Sequence, residues 1–241
     1  MNLFGLIGKN IAYSNSQNFF DKKFKEEGIK NCVYRIFDLN DINEVNQLFG
    51  YSDLKGFNVT IPYKQQILSF LDELSPEAKD TSAVNCVTID KGVKTGHNTD
   101  VYGFELSLHD FLDDFSVNAL VLGDGGAAQA VCYVLRKLGI HYQSVSRKGN
   151  LTFADLTSNH ITQHRLIINC TPLGVYPDTK LKPEIPYQAL SPKHYLYDLI
   201  YNPVETTFMK LGKQQGAKTK NGMQMLKLQA EKSWEIWSAL L

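Results

Sequence analysis

"ALVLGDGGAAQAVCYVLRKLG", residues 119–139, decides how the chain is read. Its opening ALVLG is an unbroken apolar run ending on glycine, the pattern of a strand buried on both faces. Gly123-Asp124-Gly125-Gly126 then makes a tight turn, and Ala127 opens a helical pattern that Gly139 closes. Glycines at such a turn let the backbone approach a pyrophosphate with no Cβ in the way. The helix N-terminus adds unpaired N–H groups and the positive end of its dipole. A plain tight turn has the same local spelling, but the strand–turn–helix context favours a dinucleotide. The following strand, HYQSVSR, runs into Ser146, Arg147 and Lys148. An NAD site usually places a carboxylate there for the ribose 2′-hydroxyl. Two cations and no carboxylate suit a 2′-phosphate, so NADP is favoured over NAD, with a solvated turn as the alternative.

Working outward, apolar segments alternate with amphipathic ones in both directions. On the N-terminal side, strands are expected at 3–8, 32–39 and 56–61, with helices at 16–27, 41–49 and 64–71. Asp41 is placed to cap the second helix. Residues 85–89 and 93–96 read as a hairpin-like pair, and 101–113 as a helix. Toward the C-terminus, 165–174 and 194–202 read as strands and 204–216 as a helix, and the chain is helical from about 222 onward. The β-α-β-α-β order implies α/β units with mostly parallel sheets covered by helices. Two units are expected, with a seam near residue 100. One is an N-terminal α/β domain of residues 1–100, completed by the C-terminal helix 222–241. The other is a Rossmann-like domain of residues 101–221.

The chain has 241 residues, 43% hydrophobic and 21% charged, with a formal net charge of +0. Such a balance lacks the basic excess of a non-specific nucleic-acid binder. No apolar run approaches the ~20 residues of a membrane span. The opening MNLFGLIGKN has no basic segment ahead of an apolar core, so no secretory signal is expected. Cys32, Cys86, Cys132 and Cys170 are scattered without a C-x-x-C, which suggests reduced thiols in a cytoplasmic protein. The histidines show no metal-ligand spacing, and no metal is expected. Trp234 and Trp237, at helical spacing near the end of the chain, are read as packing residues. The run KFKEE (23–27) is read as a solvated helix face.

In "GFNVTIPYKQ" (56–65) a buried strand is stopped by Pro62, and Lys64 follows. A lysine after a proline is commonly an ordinary surface charge. Here Asn85, in A-V-N, and Asn98 and Asp100, in H-N-T-D, could gather with it at strand ends. A lysine beside an aspartate is a plausible proton-transfer pair for interconverting an alcohol and a ketone.

Over nearly its whole length the chain resembles the shikimate dehydrogenases. The resemblance rests on G-L-I-G (5–8) with Ser14-Asn15-Ser16, and on N-V-T-I-P-Y-K (58–64), A-V-N (83–85) and N-T-D-V-Y-G (98–103). It continues through G-D-G-G-A (123–127), D-L-I-Y-N-P (198–203) and G-M-Q-M-L-K-L-Q-A (222–230), in the family's order. It implies NADPH-dependent, reversible reduction of 3-dehydroshikimate to shikimate, a step of chorismate and aromatic amino acid biosynthesis. By that resemblance Ser14 and Ser16 bind the substrate carboxylate. Thr60, Lys64, Asn85, Asp100, Tyr201 and Gln229 hold its ring hydroxyls, and Lys64 is the acid/base with Asp100 beside it. The Gly123, Asp124, Gly125, Gly126 and Ala127 turn binds the pyrophosphate, Arg147 between Ser146 and Lys148 binds the 2′-phosphate, and Gly222 lies against the nicotinamide. A monomer or homodimer is expected, and neither nucleic acid nor membrane as a partner.

The chain departs from the family at Tyr13, where histidine is usual, and at Gln17, where proline is usual. It departs again at Ser146-Arg147-Lys148, where N-R-T is usual, and at Gln224, often glycine. None of these removes a residue with an implied chemical role. An NAD-using quinate/shikimate enzyme and a non-catalytic shikimate-binding regulator are the alternatives. The presence of both Lys64 and Asp100 speaks against the regulator.

Overall fold

The computed structural model describes residues 1–11 and 14–241; Ala12 and Tyr13, the latter one of the departures noted above, lie outside the described residues. The chain divides into two compact units, Met1–Thr99 with Ala230–Leu241 and Asp100–Gln229.

The first unit is built on a six-stranded sheet. Its strands are β1 (Asn2–Gly8), β2 (Cys32–Asp38), β3 (Leu54–Val59), β4 (Glu73–Leu74), β5 (Cys86–Asp90) and β6 (Val93–His97), in the order β2-β1-β3-β5-β6-β4. β1 pairs parallel with both β2 and β3, whereas β5 runs antiparallel to β3 and to β6. Alternation along β1 explains the two cores. Leu3 and Ile7 join Leu54, Phe57, Val59 and Ile67 on one face. Phe4 and Leu6 join Phe20, Phe24, Tyr34 and Trp237 on the other. A strand apolar on both faces belongs in the middle of a covered sheet.

The helices of this unit are shorter than the periodicity predicts. The first, α1, spans Ser16–Glu26. The expected 41–49 helix is a 3₁₀ turn over Ile42–Glu44 followed by α2 (Val45–Leu48), and Asp41 caps it by accepting from the Asn43 N–H at 2.8 Å. The expected 64–71 helix is a 3₁₀ turn over Gln66–Phe70. β4 and α3 (Pro76–Thr81) are short elements that the pattern does not announce. The KFKEE segment is not a wholly solvated face. Lys23 is buried, with its ammonium 2.6 Å from both Glu27 and Glu231.

The second unit carries a five-stranded, all-parallel sheet of β7 (Ala119–Leu122), β8 (Tyr142–Val145), β9 (Leu166–Asn169), β10 (Tyr195–Asp198) and β11 (Lys218–Lys220), in the order β11-β10-β9-β7-β8. Its cores are again split by alternation. Val121, Ile168 and Tyr197 lie with Phe104 and Val131, and Leu120, Leu122, Ile167 and Leu196 with Phe208. The helices are α4 (Thr99–His109), α5 (Gly126–Lys137), α6 (Ser158–Gln163), α7 (Thr207–Gln214) and α8 (Met223–Ser238).

α8 spans the division between the units. The sequence assigns all of 222–241 to the first unit, but the boundary falls after Gln229. Met225 belongs to the core of Val101 and Phe104, whereas Ala230 and Trp237 belong to the core of Phe4 and Phe20. Trp237 is the packing residue the spacing implies. It stacks on Phe4 at 4.9 Å and donates its indole N–H to the Val87 carbonyl at 2.9 Å. Replacing it with alanine empties a fully buried indole site, so Trp237→Ala should cost about 3–5 kcal/mol. A urea titration monitored by far-UV circular dichroism should show a clearly lower midpoint.

Candidate functional site

In an open α/β sheet, ligands settle outside the carboxyl ends of the strands where the strand order reverses. The first unit has such a point between β1 and β3. The chain leaves β1 for β2 on one side and returns to β3 on the other. The loop after β1 is held by Asp38, at the end of β2, whose carboxylate accepts from the N–H groups of Asn10 and Ile11 at 2.7 and 3.1 Å. It delivers Ser14 and Ser16, whose hydroxyls are 3.1 Å apart and half-buried. The segment after β3 delivers Thr60 and Lys64. The Thr60 N–H donates to Ile7 at 2.9 Å, and the Lys64 carbonyl accepts from the Val84 N–H at 2.8 Å. The peptide bond before Pro62 is cis. Because β5 runs against β3, Asn85 at its start lies at the carboxyl end of β3, and its N–H donates to the His97 carbonyl at 3.1 Å. One sheet edge therefore carries Ser14, Ser16, Thr60, Lys64 and Asn85.

A buried polar chain ties this edge together. Burial holds the Tyr34 phenol well above its ordinary pKa, so it stays protonated and can donate. Tyr34 donates to Asn58 Oδ1 at 2.9 Å. Asn58 Nδ2 donates to the Asn85 carbonyl at 3.1 Å and to the Ser233 hydroxyl at 2.9 Å. Ser233 lies 3.2 Å from the Thr99 hydroxyl, and the Thr99 N–H donates to Asn85 Oδ1 at 2.7 Å. Sequence reasoning missed Tyr34, Asn58, Ser233 and Thr99 as supports. The one usable signal was a polar residue, Asn58, inside an apolar strand.

The second unit reverses strand order between β7 and β9. The turn after β7 is the glycine turn. Gly123 has φ +112°, a conformation that favours glycine, and a Cβ there would come within 3.2 Å of the Cys170 backbone. At Gly125, the N-cap of α5, an added Cβ meets nothing within 4 Å. No side chain caps α5 and no acidic residue stands in its first turn. A floor of backbone, an open front and free helix N–H groups suit a pyrophosphate. Ser146 is buried where β8 ends, and Arg147 and Lys148 are exposed beyond it. Arg147 forms no ion pair among the described residues. The residues present fit a dinucleotide with a 2′-phosphate.

Asp100, near the start of α4, is buried at 5% exposure. Tyr201 and Gln229 are half-buried, and Gln229 donates to the Leu226 carbonyl at 2.9 Å. Gly222 is buried with its N–H on the Ile200 carbonyl at 3.0 Å, and a Cβ there would lie 2.0 Å from the Leu199 carbonyl oxygen. Among the described residues no cluster of three His, Cys, Asp or Glu is arranged for a metal, and no helix is long and apolar enough to cross a membrane.

A family model described as the shikimate dehydrogenase substrate binding domain matches residues 6–87. A shikimate dehydrogenase (NADP(+)) of Methanococcus maripaludis is 36% identical, covering 99% of this chain and 91% of the relative. The chain belongs to the shikimate dehydrogenase family. Among solved structures, the Thermus thermophilus enzyme in complex with NADP(H) and shikimate is similar at TM-score 0.88 and 28% identity, covering 100% of this chain and 95% of that one. Quinate dehydrogenase from Corynebacterium glutamicum in complex with NAD is similar at 0.87 and 27%, covering 99% and 94%.

The polar chain of the first unit is testable. Asn58→Ala removes the acceptor of the Tyr34 hydroxyl and the donor to Asn85. Leaving buried partners unsatisfied should cost roughly 1–3 kcal/mol. Asn58→Asp should fare no better, because a carboxylate oxygen would face the Asn85 carbonyl. Chemical denaturation of both variants should give lower midpoints than wild type.

Proposed function

We propose that this chain is an NADP-dependent shikimate dehydrogenase, reversibly reducing 3-dehydroshikimate to shikimate. The observation that supports it most directly is the sheet edge of the first unit. A hydroxyl pair suited to a carboxylate lies at the same edge as Thr60, Lys64 and Asn85, donors and acceptors suited to ring hydroxyls. A site that hydrogen-bonds hydroxyls discriminates strongly against analogues lacking them.

In this reading Ser14 and Ser16 bind the substrate carboxylate. Thr60, Asn85, Tyr201 and Gln229 orient the ring. NADPH, when bound, supplies the hydride. Lys64 protonates the ketone oxygen as negative charge develops there, and as the neutral amine it takes the proton back in the reverse direction. Asp100 serves as the carboxylate of the proton-transfer pair. The Gly123–Ala127 turn and the first turn of α5 receive the pyrophosphate, and Gly222 contacts the nicotinamide. Ser146, Arg147 and Lys148 receive the 2′-phosphate, which favours NADP over the NAD of the quinate enzyme. The balanced charge and four free cysteines fit a cytoplasmic enzyme.

The primary test follows NADPH absorbance with 3-dehydroshikimate. No turnover with intact binding would instead indicate a non-catalytic shikimate-binding regulator. Lys64→Ala should lower kcat by roughly a hundredfold or more while changing substrate Kd much less. Lys64→Arg should rescue little, because guanidinium keeps its proton near neutral pH. A near-normal kcat for Lys64→Ala would make this lysine a clamp rather than the acid/base. Arg147→Ala should raise KM for NADP roughly ten- to a hundredfold, the scale of a charge-assisted hydrogen bond, and barely alter KM for NAD. Equal effects on the two cofactors would remove Arg147 from the 2′-phosphate site.

A further inference from the structure

Asp198, at the end of β10, has no role in the chemistry above, yet several loops of the second unit meet at its side chain. It is 0% exposed. Its Oδ1 accepts from Asn169 Nδ2 and from the Ile200 N–H, both at 3.0 Å, and its Oδ2 accepts from the Thr206 hydroxyl at 2.6 Å. Asn169 carries the connection onward. Its Oδ1 accepts from the Thr171 N–H at 3.0 Å and the Thr171 hydroxyl at 2.7 Å, and that hydroxyl accepts from the Leu173 N–H at 3.2 Å. The same loop holds Cys170, whose backbone floors the glycine turn at Gly123. On the other side, the Ile200 carbonyl accepts from the Gly222 N–H, and Tyr201 follows in the chain. The carboxylate is thus one hydrogen bond from Ile200, which precedes Tyr201, two from Gly222, and linked through Asn169 to the loop whose Cys170 backbone packs under the glycine turn.

We propose that Asp198 is a positioning residue. Its carboxylate sets the three loops that receive the dinucleotide and present Tyr201, so changes at this buried group register in cofactor and substrate affinity as well as in stability. The proposal rests on the roles assigned above to the glycine turn, Tyr201 and Gly222.

Chemistry at the carboxylate supports it. No lysine, arginine or histidine pairs with Asp198 among the described residues. The ionisable groups that face it are the Cys170 thiol and the Tyr187 phenol, both pushed up by burial and so neutral. Burial raises the Asp198 carboxyl to about 6, against the pull of the bonds from Thr206, Ile200 and Asn169. Ionised, the carboxylate accepts from all three donors. Protonated, an oxygen must donate. The Thr206 hydroxyl, which already accepts from the Met209 N–H at 3.3 Å, would then have to turn from donor to acceptor. Because the folded value lies above the ordinary 3.8, the stability this group contributes is full below about 3.8 and is lost as pH rises through about 6. The ionised form therefore holds the loops at some cost in stability.

The test compares wild type with Asp198→Asn and Asn169→Ser in the full chain, from pH 5 to pH 8. The readouts are NADP+ Kd by calorimetry, shikimate KM at saturating NADP+, and Tm. Asp198→Asn should raise the NADP+ Kd or the shikimate KM at least fivefold at pH 7.5. It should also flatten the change in these constants that wild type shows around pH 6. The 2′-phosphate titrates identically in both proteins, so the difference between them reports Asp198. Asn169→Ser, which removes the amide that joins Asp198 to Thr171 but leaves the carboxylate its bonds from Ile200 and Thr206, should weaken NADP+ binding in the same direction and answers the question even if Asp198→Asn folds poorly. Affinities and pH profiles unchanged in the folded variants, whatever the Tm, would overturn the proposal. Tyr201→Phe separates the two levels. If it leaves shikimate KM untouched while Asp198→Asn alters NADP+ Kd, the role of Tyr201 fails and that of Asp198 stands.

Discussion

The side-chain amide of Asn58 is the interaction on which the first unit depends. It sits inside β3, between two apolar cores, where an unpaired amide would be costly. Each of its polar atoms is used: the oxygen by Tyr34 of β2, the nitrogen by the Asn85 carbonyl and by Ser233 of α8. Loss of any one partner leaves a buried oxygen or N–H of the amide unpaired. The amide therefore couples the strands to the last turns of the chain, and it does so directly beneath the edge that carries Lys64 and Asn85. A hydrophobic replacement could fill the volume but could not answer the Tyr34 and Ser233 hydroxyls, because each needs a directed hydrogen bond.

The second unit solves a similar problem with a charge. At a strand reversal the loops must leave the sheet in different directions and still hold their ends rigidly. Backbone pairing cannot do this beyond the last ladder bond, so side chains take over: Asn169 and Asp198, neighbours across β9 and β10, bind the loops that follow them. The energetic consequence differs between the units. A neutral amide with all bonds made is close to cost-free at any pH, whereas a buried carboxylate without a cation carries a pH-dependent penalty.

Much of this was legible locally. The glycine turn was spelled out by strand, turn and helix, and the cations after β8 by their position. The alternation that makes β1 apolar on both faces was visible in seven residues. Less legible were the short elements, where tertiary packing overrode periodicity. The Ile67–Leu71 spacing resembles a helix, but the chain makes only a 3₁₀ turn over Gln66–Phe70 before β4 and α3. Lys23 looked like one more solvated charge, and only the return of α8, with Glu231, shows why it is buried.

By itself, then, the sequence determined the class of the fold and the family and nominated the side chains of the candidate site, because these depend on local periodicity and on motifs of a few residues. The tertiary structure alone decided what holds those side chains in place. Tyr34, Asn85 and Ser233 lie 24, 27 and 175 residues from Asn58 along the chain. Asn169 lies 29 residues from Asp198. A polar residue in an apolar strand reads as a flaw until its partners arrive from elsewhere in the chain, and a hydrogen bond leaves no periodic trace by which to predict them.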